Sequence, residues 1–398
     1  MSKVGGALPS WYWPAGISRR VPVSQQPLGR TLNQRFKTSA DKVAIISDGR
    51  STTFSELSAQ VTAVAGGLQS LSTTGTITIV DPDPAEALVQ LLGGLLSGRA
   101  VYLPRDIRSD LPAQMGKAKS DLLLTSKVAA LSYEGFTTLR ISDLVGKFNE
   151  ASVPRRARDP CVYLDGDRGI VTHSHFSLSA MAASMAAFIP ELRKNGYLCL
   201  APSLGSWEEL TGILLALTSG MPVIFSSLEQ QPPSIPLYLV LRRPQVDLIL
   251  TERRAPDIVR EASHVFVSTG PFSRSWRQQL ELRCGAPVYP IWGVPELGPV
   301  LAAHPTWLPP HGHGFPLVNV SLIPIDPGTG NVSIVPWEML ERAEMGVETL
   351  SAMIGYVEPS RNATAKAGTA LRTGQIASMD HVGVVALLEE AKRHDARA

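Results

Sequence analysis

A group of three histidines is a candidate metal site in this sequence. His304, His311 and His313 lie close together in the chain, as ligands of a metal ion could. Structural zinc sites use about four cysteine, histidine or carboxylate ligands, and neither a thiol nor a carboxylate lies among these histidines. The prolines and glycines around them are typical of a loop, so the sequence does not favour a zinc centre.

Other catalytic motifs are incomplete. His173 and His175 flank Ser174 at the start of a predicted helix, where a capping hydroxyl explains the local sequence without catalysis. Leu204–Glu208 contains only half of a nucleophile elbow, because the second glycine is missing. The sequence contains neither a Walker loop nor a Gly-x-Gly-x-x-Gly turn after a strand, so these nucleotide-binding motifs are excluded.

Composition and charge define the broad class of protein. The 398 residues are 44% hydrophobic and 18% charged, which is typical of a globular chain. A formal net charge of +2 gives little field for steering polyanions, so we expect no nucleic-acid partner. Cys161, Cys199 and Cys284 lie far apart without CxxC spacing, which favours a reducing compartment over a disulfide framework.

No segment predicts secretion or membrane insertion. Residues 1–20 lack a continuous apolar stretch of the kind found in secretory signals. The most apolar window, Leu210–Phe225, is shorter than the ~20 residues that span a bilayer and is interrupted by Gly220 and Pro222. We therefore expect a cytoplasmic protein without a membrane span, with residues 1–30 loosely ordered.

Strand and helix patterns alternate in the first part of the chain. Val43–Ile46 is an apolar strand pattern, and Thr53–Ser55 opens a helix with a capping pattern. Strand Ile77–Val80, helix Pro84–Leu96 and strand Ala100–Leu103 repeat this order. Such alternation predicts a mostly parallel sheet that is covered by helices on both faces.

A second alternating block follows, and the pattern then changes. Helices are predicted at Phe176–Phe188 and Trp207–Leu217. The buried strands predicted around them are Tyr197–Ala201, Val223–Phe225, Leu248–Leu250, Val265–Val267 and Val288–Ile291. Beyond Pro299, apolar and polar residues alternate in the strands Val318–Ile325, Asn331–Val335 and Val382–Leu388.

The sequence therefore predicts an α/β fold with two doubly wound sheets packed together and a small β-rich subdomain. The predicted subdomains cover about residues 31–170, 171–305 and 306–388.

Seven short segments occur in an order that is known from a large enzyme family: Thr53–Leu57, Leu91–Asp106, Val267–Pro271, Ile291–Glu296, His313–Pro316, Ile354–Tyr356 and Arg372–Gln375. The first is similar to the family's Thr-Tyr-x-x-Leu helix start, and the fourth to its Tyr-Gly-x-Thr-Glu segment. From about residue 35 to residue 392 the chain resembles the N-terminal domain of adenylate-forming enzymes. These are the acyl-CoA synthetases, acyl-AMP ligases and peptide-synthetase adenylation domains.

The stretch that matches the family's phosphate loop departs from its pattern. In the family this loop is rich in Ser, Thr and Gly and ends in Lys-Gly, whereas residues 163–173 lack the hydroxyl run and the lysine. Its centre reads Asp165, Gly166, Asp167, Arg168 and Gly169. A carboxylate about 4 Å from a phosphate costs roughly 4 kcal/mol at an effective dielectric constant of ~20. The resemblance therefore predicts a degenerate phosphate loop.

Other nucleotide positions are changed as well. The resemblance implies that Gln375 replaces the family's ribose-binding aspartate and that Glu389 or Glu390 replaces its hinge arginine. Glu296 matches a glutamate that holds Mg²⁺ in the family, which keeps a metal role open. Residues 389–398 are expected to be the remnant of the hinge, and the family's C-terminal domain with its catalytic lysine is expected to be absent.

The resemblance also implies an acyl pocket, formed by Trp207, Thr269, Gly270, Pro271, Trp292 and Gly293. Its glycines permit close backbone approach, and its tryptophans supply rigid apolar walls. We expect this pocket to stay apolar and to take an acyl or aryl carboxylate, or an acyl group on a carrier.

Three functions are consistent with the sequence. In the first, the chain is an impaired family member that binds an acyl group or serves as a partner of a carrier protein or a complete synthetase, and no cofactor is assigned. Alternatively, it is an active acyl-adenylating enzyme that uses ATP and Mg²⁺ and is completed by a separate C-terminal domain. A purely structural interaction protein is the third possibility, and a homodimer is compatible with each.

Overall fold

In a computed structural model, helices lie between and around β-sheets. The structure describes residues 13, 16–105, 110–126, 131, 133–149, 156–200, 204–226, 235–251, 255–307, 309 and 312–390. Asp106, His311, residues 391–398 and the side chains of Glu389 and Glu390 lie outside the described part, so the hinge prediction is not tested.

The described residues form ten α-helices and twenty-one β-strands. The helices are α1 (Leu28–Thr38), α2 (Phe54–Ser70), α3 (Pro84–Ser97), α4 (Leu111–Lys117), α5 (His175–Phe188), α6 (Trp207–Ser219), α7 (Arg243–Thr251), α8 (Asp257–Arg260), α9 (Arg274–Cys284) and α10 (Pro359–Asn362). The strands are β1 (Val43–Ser47), β2 (Arg50–Thr53), β3 (Thr76–Ile79), β4 (Val101–Leu103), β5 (Ser120–Leu124), β6 (Thr137–Leu139), β7 (Pro160–Gly166), β8 (Gly169–Ser174), β9 (Gly196–Cys199), β10 (Val223–Phe225), β11 (Leu237–Leu241), β12 (His264–Ser268), β13 (Val288–Val294), β14 (Gly298–Ala302), β15 (Phe315–Pro316), β16 (Val320–Ile325), β17 (Ala343–Thr349), β18 (Gly355–Tyr356), β19 (Lys366–Ala367), β20 (Ala370–Met379) and β21 (Val385–Glu390).

Two large sheets form the body of the protein. The nine-stranded sheet has the order β15-β14-β13-β12-β11-β9-β10-β1-β2, and its central strands are parallel. The seven-stranded sheet has the order β18-β8-β7-β4-β3-β5-β6, with parallel pairing from β7 to β6. Their strands are short and apolar on both faces, as expected of sheets covered on both sides.

The chain crosses between these sheets more than the predicted boundary near residue 170 implies. The hairpin β1–β2 belongs to the nine-stranded sheet, where β1 pairs with β10. Strand β18, from the third part of the chain, pairs with β8 at the edge of the seven-stranded sheet. Local strand patterns do not show which sheet a strand joins, so this exchange was not predictable.

The main core lies between the two large sheets and contains α1, α2, α3, α5 and α6. Strand β11 shows the layering: Tyr238 and Val240 belong to this core, whereas Leu239 and Leu241 pack with α7, α8 and α9 in a second core. Helix α4 packs on the outer face of the seven-stranded sheet. The doubly wound α/β class predicted from the sequence is confirmed.

The third part of the chain forms a small antiparallel sheet with the order β16-β17-β20-β19, and β21 pairs with the other end of β20. The alternating patterns at Val318–Ile325 and Val382–Leu388 therefore mark strands, as predicted. Asn331–Val335 does not, because within the described residues it forms only an isolated bridge between Val332 and Ile325. Ile334 is 93% exposed, so alternation there does not reflect a buried face.

The predicted strand Leu248–Leu250 is wrong, because these residues lie in α7. Val246 and Ile249 are buried one helical turn apart, while Leu248 is 48% exposed. A short apolar run does not by itself distinguish a strand from a segment of a buried helix. The three-residue spacing between Val246 and Ile249 is typical of a helix and could have distinguished it from a strand.

Residues 1–30 are more ordered at their end than predicted. Helix α1 begins at Leu28, whose side chain is buried together with that of Leu32. The backbone of Val21 is held by the side chain of Asn319, which accepts at 3.0 Å and donates at 3.1 Å. The order at this end comes from contacts with residues that are distant in sequence. In the described residues, none of the helices combines the length and apolarity that crossing a bilayer requires.

A substitution at Gly212 tests the packing of α6 against the nine-stranded sheet. A Cβ atom at Gly212 would lie 2.3 Å from the ring of Tyr197, so Gly212→Ala should lower the free energy of unfolding by more than about 1 kcal/mol. Helix propensity alone predicts a gain of about 1 kcal/mol. Gly116→Ala in the exposed part of α4, where a Cβ atom meets nothing within 4 Å, should show that gain. Urea denaturation checks both variants, and equal effects would contradict this packing.

Candidate functional site

A cleft of about 910 Å³ opens at the carboxyl edge of the nine-stranded sheet. Leu241 pairs with Val267, and Ser268 with Ile291, so the residues that follow β11, β12 and β13 meet at one edge. The cleft is also lined by the β7–β8 hairpin and by the small sheet. Carboxyl edges of parallel strands are the usual place for ligands in wound α/β folds.

The stretch that matches the phosphate loop is a tight hairpin. Strands β7 and β8 are antiparallel, and Gly166 pairs with Gly169 across a turn that contains only Asp167 and Arg168. Gly169 adopts φ +134°, a conformation that strongly favours glycine. Gly166 lies in the last residue pair, where an added Cβ atom would be 3.0 Å from the Gly169 carbonyl oxygen. The glycines therefore serve a hairpin turn.

Both carboxylates of the hairpin contact groups of the protein. Asp165 accepts hydrogen bonds from the Tyr102 hydroxyl at 2.8 Å and from the backbone N–H of Arg105 at 2.9 Å. Asp167 lies in the cleft lining and forms an ion pair with the guanidinium of Arg105 at 3.1 Å. The charge of Asp167 is thus partly balanced by Arg105, a partner that the sequence analysis did not identify.

Arg168 connects the hairpin to two other parts of the chain. Its Nε lies 3.3 Å from a carboxylate oxygen of Glu296, and its Nη2 donates to the carbonyl oxygens of Arg372 and Thr373 at 2.9 and 3.2 Å. The same oxygen of Glu296 accepts a hydrogen bond of 2.6 Å from the Tyr356 hydroxyl. Glu296 is only 5% exposed, so this carboxylate is held by protein groups.

Burial, and secondarily the Glu296 carboxylate, raises the pKa of the Tyr356 hydroxyl well above its ordinary value. Tyr356 therefore remains a protonated donor at neutral pH.

Glu296 is further positioned by His173, because the Nε2 of this ring donates to the Pro295 carbonyl at 2.6 Å. Nε2 must carry the proton, since a carbonyl only accepts, and Nδ1 is then the acceptor for Ser177 at 3.2 Å.

Gln375, which the resemblance matches to the family's ribose-binding aspartate, lies in the cleft lining but is 6% exposed. Its Nε2 donates to the Ile376 carbonyl at 2.9 Å, and its backbone N–H donates to the Thr373 hydroxyl at 3.1 Å. Next to it, Arg372 and the buried carboxylate of Glu344 form a two-point ion pair. The amide of Gln375 is thus engaged in part with the backbone of its own strand.

The segments of the predicted acyl pocket come together at the other wall. Trp207, Gly270, Pro271, Trp292 and Gly293 line the cleft. Thr269 lines an adjoining cavity of about 350 Å³. Both tryptophans are buried, and Trp207 is the first residue of α6, which is capped by Ser206. The structure therefore brings these residues to one wall of the cleft.

Polar side chains that the sequence analysis missed also face this wall. Glu208 lines the cleft and accepts a hydrogen bond of 2.8 Å from Ser268. Arg242 follows β11 and lines the cleft as well, close to the buried Glu209. The wall is therefore less apolar than predicted. Glu208 and Glu209 at a helix start were the only available signal, and acidic residues are ordinary there.

Gly293 does not leave room for a side chain. A Cβ atom would lie 2.2 Å from the carbonyl oxygen of Gly298 on the neighbouring strand. A leucine at this position would therefore clash with the backbone of the neighbouring strand and would not simply fill the pocket. Gly270 lines the same cleft, and a Cβ atom there meets nothing within 4 Å, so it is the better position for filling the cleft.

Two histidines of the predicted loop, His304 and His313, are engaged separately. His304 packs edge-on against Phe188, and His313 donates from Nε2 to the carbonyl of Gly270 at 2.7 Å. In the described ranges, no three His, Cys, Asp or Glu side chains converge as ligands of a metal would. His313 thus anchors the backbone of the cleft wall.

Solved structures share this architecture. The N-terminal subdomain of Klebsiella oxytoca NpsA in complex with 3-hydroxyanthranilyl-AMSN aligns with a TM-score of 0.75 and 18% identity, over 92% of this chain and 99% of that chain. Unliganded O-succinylbenzoate coenzyme A synthetase (MenE) from Bacillus subtilis aligns with a TM-score of 0.77 and 19% identity, over 92% of this chain and 79% of that chain. The chain has the adenylate-forming N-terminal domain fold.

A third structure with this fold is NpsA-ThdA, an artificially fused adenylation–PCP di-domain from Klebsiella oxytoca. It aligns with a TM-score of 0.76 and 18% identity, over 93% of this chain and 73% of that chain. No protein-family model and no curated protein matches the sequence. At such low identity the adenylate-forming fold is shown, and activity must be argued from the cleft.

The buried His173 of this adenylate-forming fold should make stability pH-dependent. Burial lowers the pKa of His173 from 6.5 to about 4, partly offset by the Pro295 carbonyl. Between these values the unfolded chain binds a proton that the folded chain does not, so the free energy of unfolding falls as the pH decreases. The loss amounts to on the order of 3 kcal/mol by pH 4.

His173→Gln should remove this part of the pH dependence, because glutamine does not titrate and can still donate to the Pro295 carbonyl. Urea denaturation between pH 7 and pH 4 measures it, with His381→Gln at an exposed position as the control. His313, whose burial also lowers its pKa to about 4, leaves a residual slope in both variants. Equal slopes in the two variants would contradict the assignment to His173.

Proposed function

We propose that this protein binds an organic acid or an acyl group in the cleft without activating it with ATP. The observation that carries the proposal is the contact between Arg168 and Glu296. The residue that matches a metal-binding glutamate is paired with a cation of the chain itself. This arrangement favours a binding or partner role over carboxylate activation.

ATP·Mg²⁺ fits these residues poorly. A metal ion on Glu296 would have to displace the guanidinium of Arg168, which also holds the carbonyl oxygens of Arg372 and Thr373. Cations so close repel each other by roughly 4 kcal/mol at about 4 Å and an effective dielectric constant of ~20. The hairpin offers no open loop for phosphates, since its turn contains only Asp167 and Arg168.

An acid fits the cleft better. About 910 Å³ is within the usual range for small-molecule sites of roughly 300–1,000 Å³. Trp207 and Trp292 offer flat apolar surfaces on one wall. Structures with this fold include NpsA with 3-hydroxyanthranilyl-AMSN and MenE with the acyl-adenylate intermediate OSB-AMP, and this precedent supports an acyl or aryl ligand.

A carrier protein, a complete synthetase or a separate C-terminal domain would complete this role. The adenylation–PCP fusion NpsA-ThdA shows that the fold can be joined to a carrier domain in another protein. We propose that an acyl carrier is the most suitable partner, because it delivers an acyl group that needs no activation by this chain. An active enzyme would differ from such a binding protein in its affinity for ATP·Mg²⁺ and in pyrophosphate exchange.

At near-physiological salt the protein should bind ATP·Mg²⁺ with a Kd above about 1 mM, because Arg168 already neutralises Glu296. Isothermal titration calorimetry measures this affinity, and pyrophosphate exchange in the presence of carboxylic acids should stay at the level of a heat-killed control. Micromolar binding or measurable exchange would favour the active-enzyme alternative. Adding a separate C-terminal domain of a related enzyme tests completion by a partner.

Aromatic or medium-chain acids, or their pantetheine thioesters, should raise the melting temperature of the protein. Gly270→Leu should abolish that shift by filling the cleft, because an added Cβ atom meets no neighbour there. Gly116→Leu, at an open position on the surface, is the matched control and should keep the shift. No shift with any acid or thioester in the unmodified protein would favour a purely structural role.

A further inference from the structure

The arginines of the cleft differ in how they are neutralised. Among the described residues, five arginines line the cleft. Four of them form ion pairs with a carboxylate at 3.3 Å or less: Arg105 with Asp167, Arg168 with Glu296, Arg243 with Asp247 and Arg372 with Glu344. Arg242 is the exception.

The guanidinium of Arg242 lacks a hydrogen-bonded partner in the described part of the chain. Its Nε is buried and donates to no acceptor there. The nearest carboxylate oxygen belongs to Glu209 and lies 3.9 Å from this Nε, beyond hydrogen-bonding distance. The side chain is 25% exposed, and the surface that it lines is the cleft. A cation so placed is desolvated without full compensation, which is costly.

Glu209 is already engaged elsewhere. Its other carboxylate oxygen accepts hydrogen bonds from the Tyr197 hydroxyl at 2.6 Å and from the Cys199 thiol at 3.0 Å, and its side chain is 1% exposed. These contacts hold the carboxylate in the core beneath the cleft. The forked N–H groups of Arg242 are thus left for a further acceptor, and a carboxylate matches their planar geometry with two parallel hydrogen bonds.

Position supports the same conclusion. Leu241 pairs with Val267, so Arg242, which follows β11, lies beside Ser268, the last residue of β12. The same edge of the sheet carries Trp292. Arg242 therefore belongs to the wall with the tryptophans, whereas Arg168 belongs to the hairpin of the other large sheet. A ligand held by Arg242 would place its carboxylate on the tryptophan wall, not at the hairpin.

We propose that Arg242 is the carboxylate anchor of this cleft. The ligand is an organic acid, or an acyl group that carries a second carboxylate, whose charged end binds Arg242 and whose apolar part contacts Trp207 and Trp292. This inference rests on the proposed function and specifies the orientation of the ligand. A carboxylate bound to Arg242 lies on the tryptophan wall and not at the hairpin that matches the family's phosphate loop.

The test compares acids with their neutral amides. Benzoate and octanoate are titrated against benzamide and octanamide, with the quenching of tryptophan fluorescence or calorimetry as the measurement. The unmodified protein should bind at least one acid about tenfold or more tightly than its amide. Arg242→Gln should remove this preference, and Arg242→Lys, which keeps the charge, should keep part of it. Arg260→Gln, in a surface pair with Asp257, is the control and should behave as the unmodified protein.

The outcomes separate the two proposals. If no acid binds the unmodified protein, the proposed function fails and the inference fails with it. If an acid binds and Arg242→Gln retains the preference over the amide, the inference is overturned while the proposed function stands. If Arg168→Gln removes the preference instead, the carboxylate faces the hairpin, which also overturns the inference.

A folding defect of Arg242→Gln would not decide the question, because Glu209 then loses its nearby cation. The double variant Arg242→Gln/Glu209→Gln removes both charges and should fold while lacking the preference for acids. Circular dichroism checks the fold of each variant before titration. A well-folded double variant that still prefers the acid would overturn the proposal.

Discussion

The guanidinium of Arg168 joins three parts of the chain that are distant in sequence. It projects from the β7–β8 hairpin, pairs with Glu296 in the turn between β13 and β14, and donates to the backbone of β20 in the small sheet. Tyr356 completes the cluster from β18, which pairs with β8. The arrangement of the cleft depends on this cluster, because the two large sheets and the small sheet all contribute to it.

Buried charges in this region are stabilised from within the protein. Glu344 and Glu296 are almost fully buried, and each has an arginine beside it. Breaking such a pair is strongly destabilising, since it leaves an uncompensated charge in a medium of low polarity. A cleft built in this way does not need a ligand or metal ion to neutralise its carboxylates. Arg242 is different, because the nearest carboxylate oxygen among the described residues lies 3.9 Å from its Nε. This incomplete neutralisation is the reason to connect Arg242 with a ligand.

Much of the fold could be predicted from local patterns. Strand Val223–Phe225 and helix α3 lie where the periodicity places them, within one residue. Thr53 and Glu56 form a capping box at α2, close to the predicted capping pattern. The prediction failed at residues 248–250, where a short apolar run belongs to a helix. The resemblance grouped Trp207, Trp292 and Gly293, and the structure places them at one wall. Arg242 was not identified, since sequence does not show which side of a strand end a charge faces.

The fold class and the residue types of the cleft could be predicted without coordinates. The fold class follows from the periods of strand and helix, and the hairpin from its turn glycines. The resemblance adds that Asp165, Asp167 and Arg168 stand where the family has hydroxyls and a lysine. Which charges meet depends on how the chain packs. Whether Arg168 pairs with Glu296, and whether Arg242 keeps a partner, depends on distances of a few ångströms between distant segments. Electrostatic and hydrogen-bond energies change steeply over such distances, and sequence spacing does not encode them.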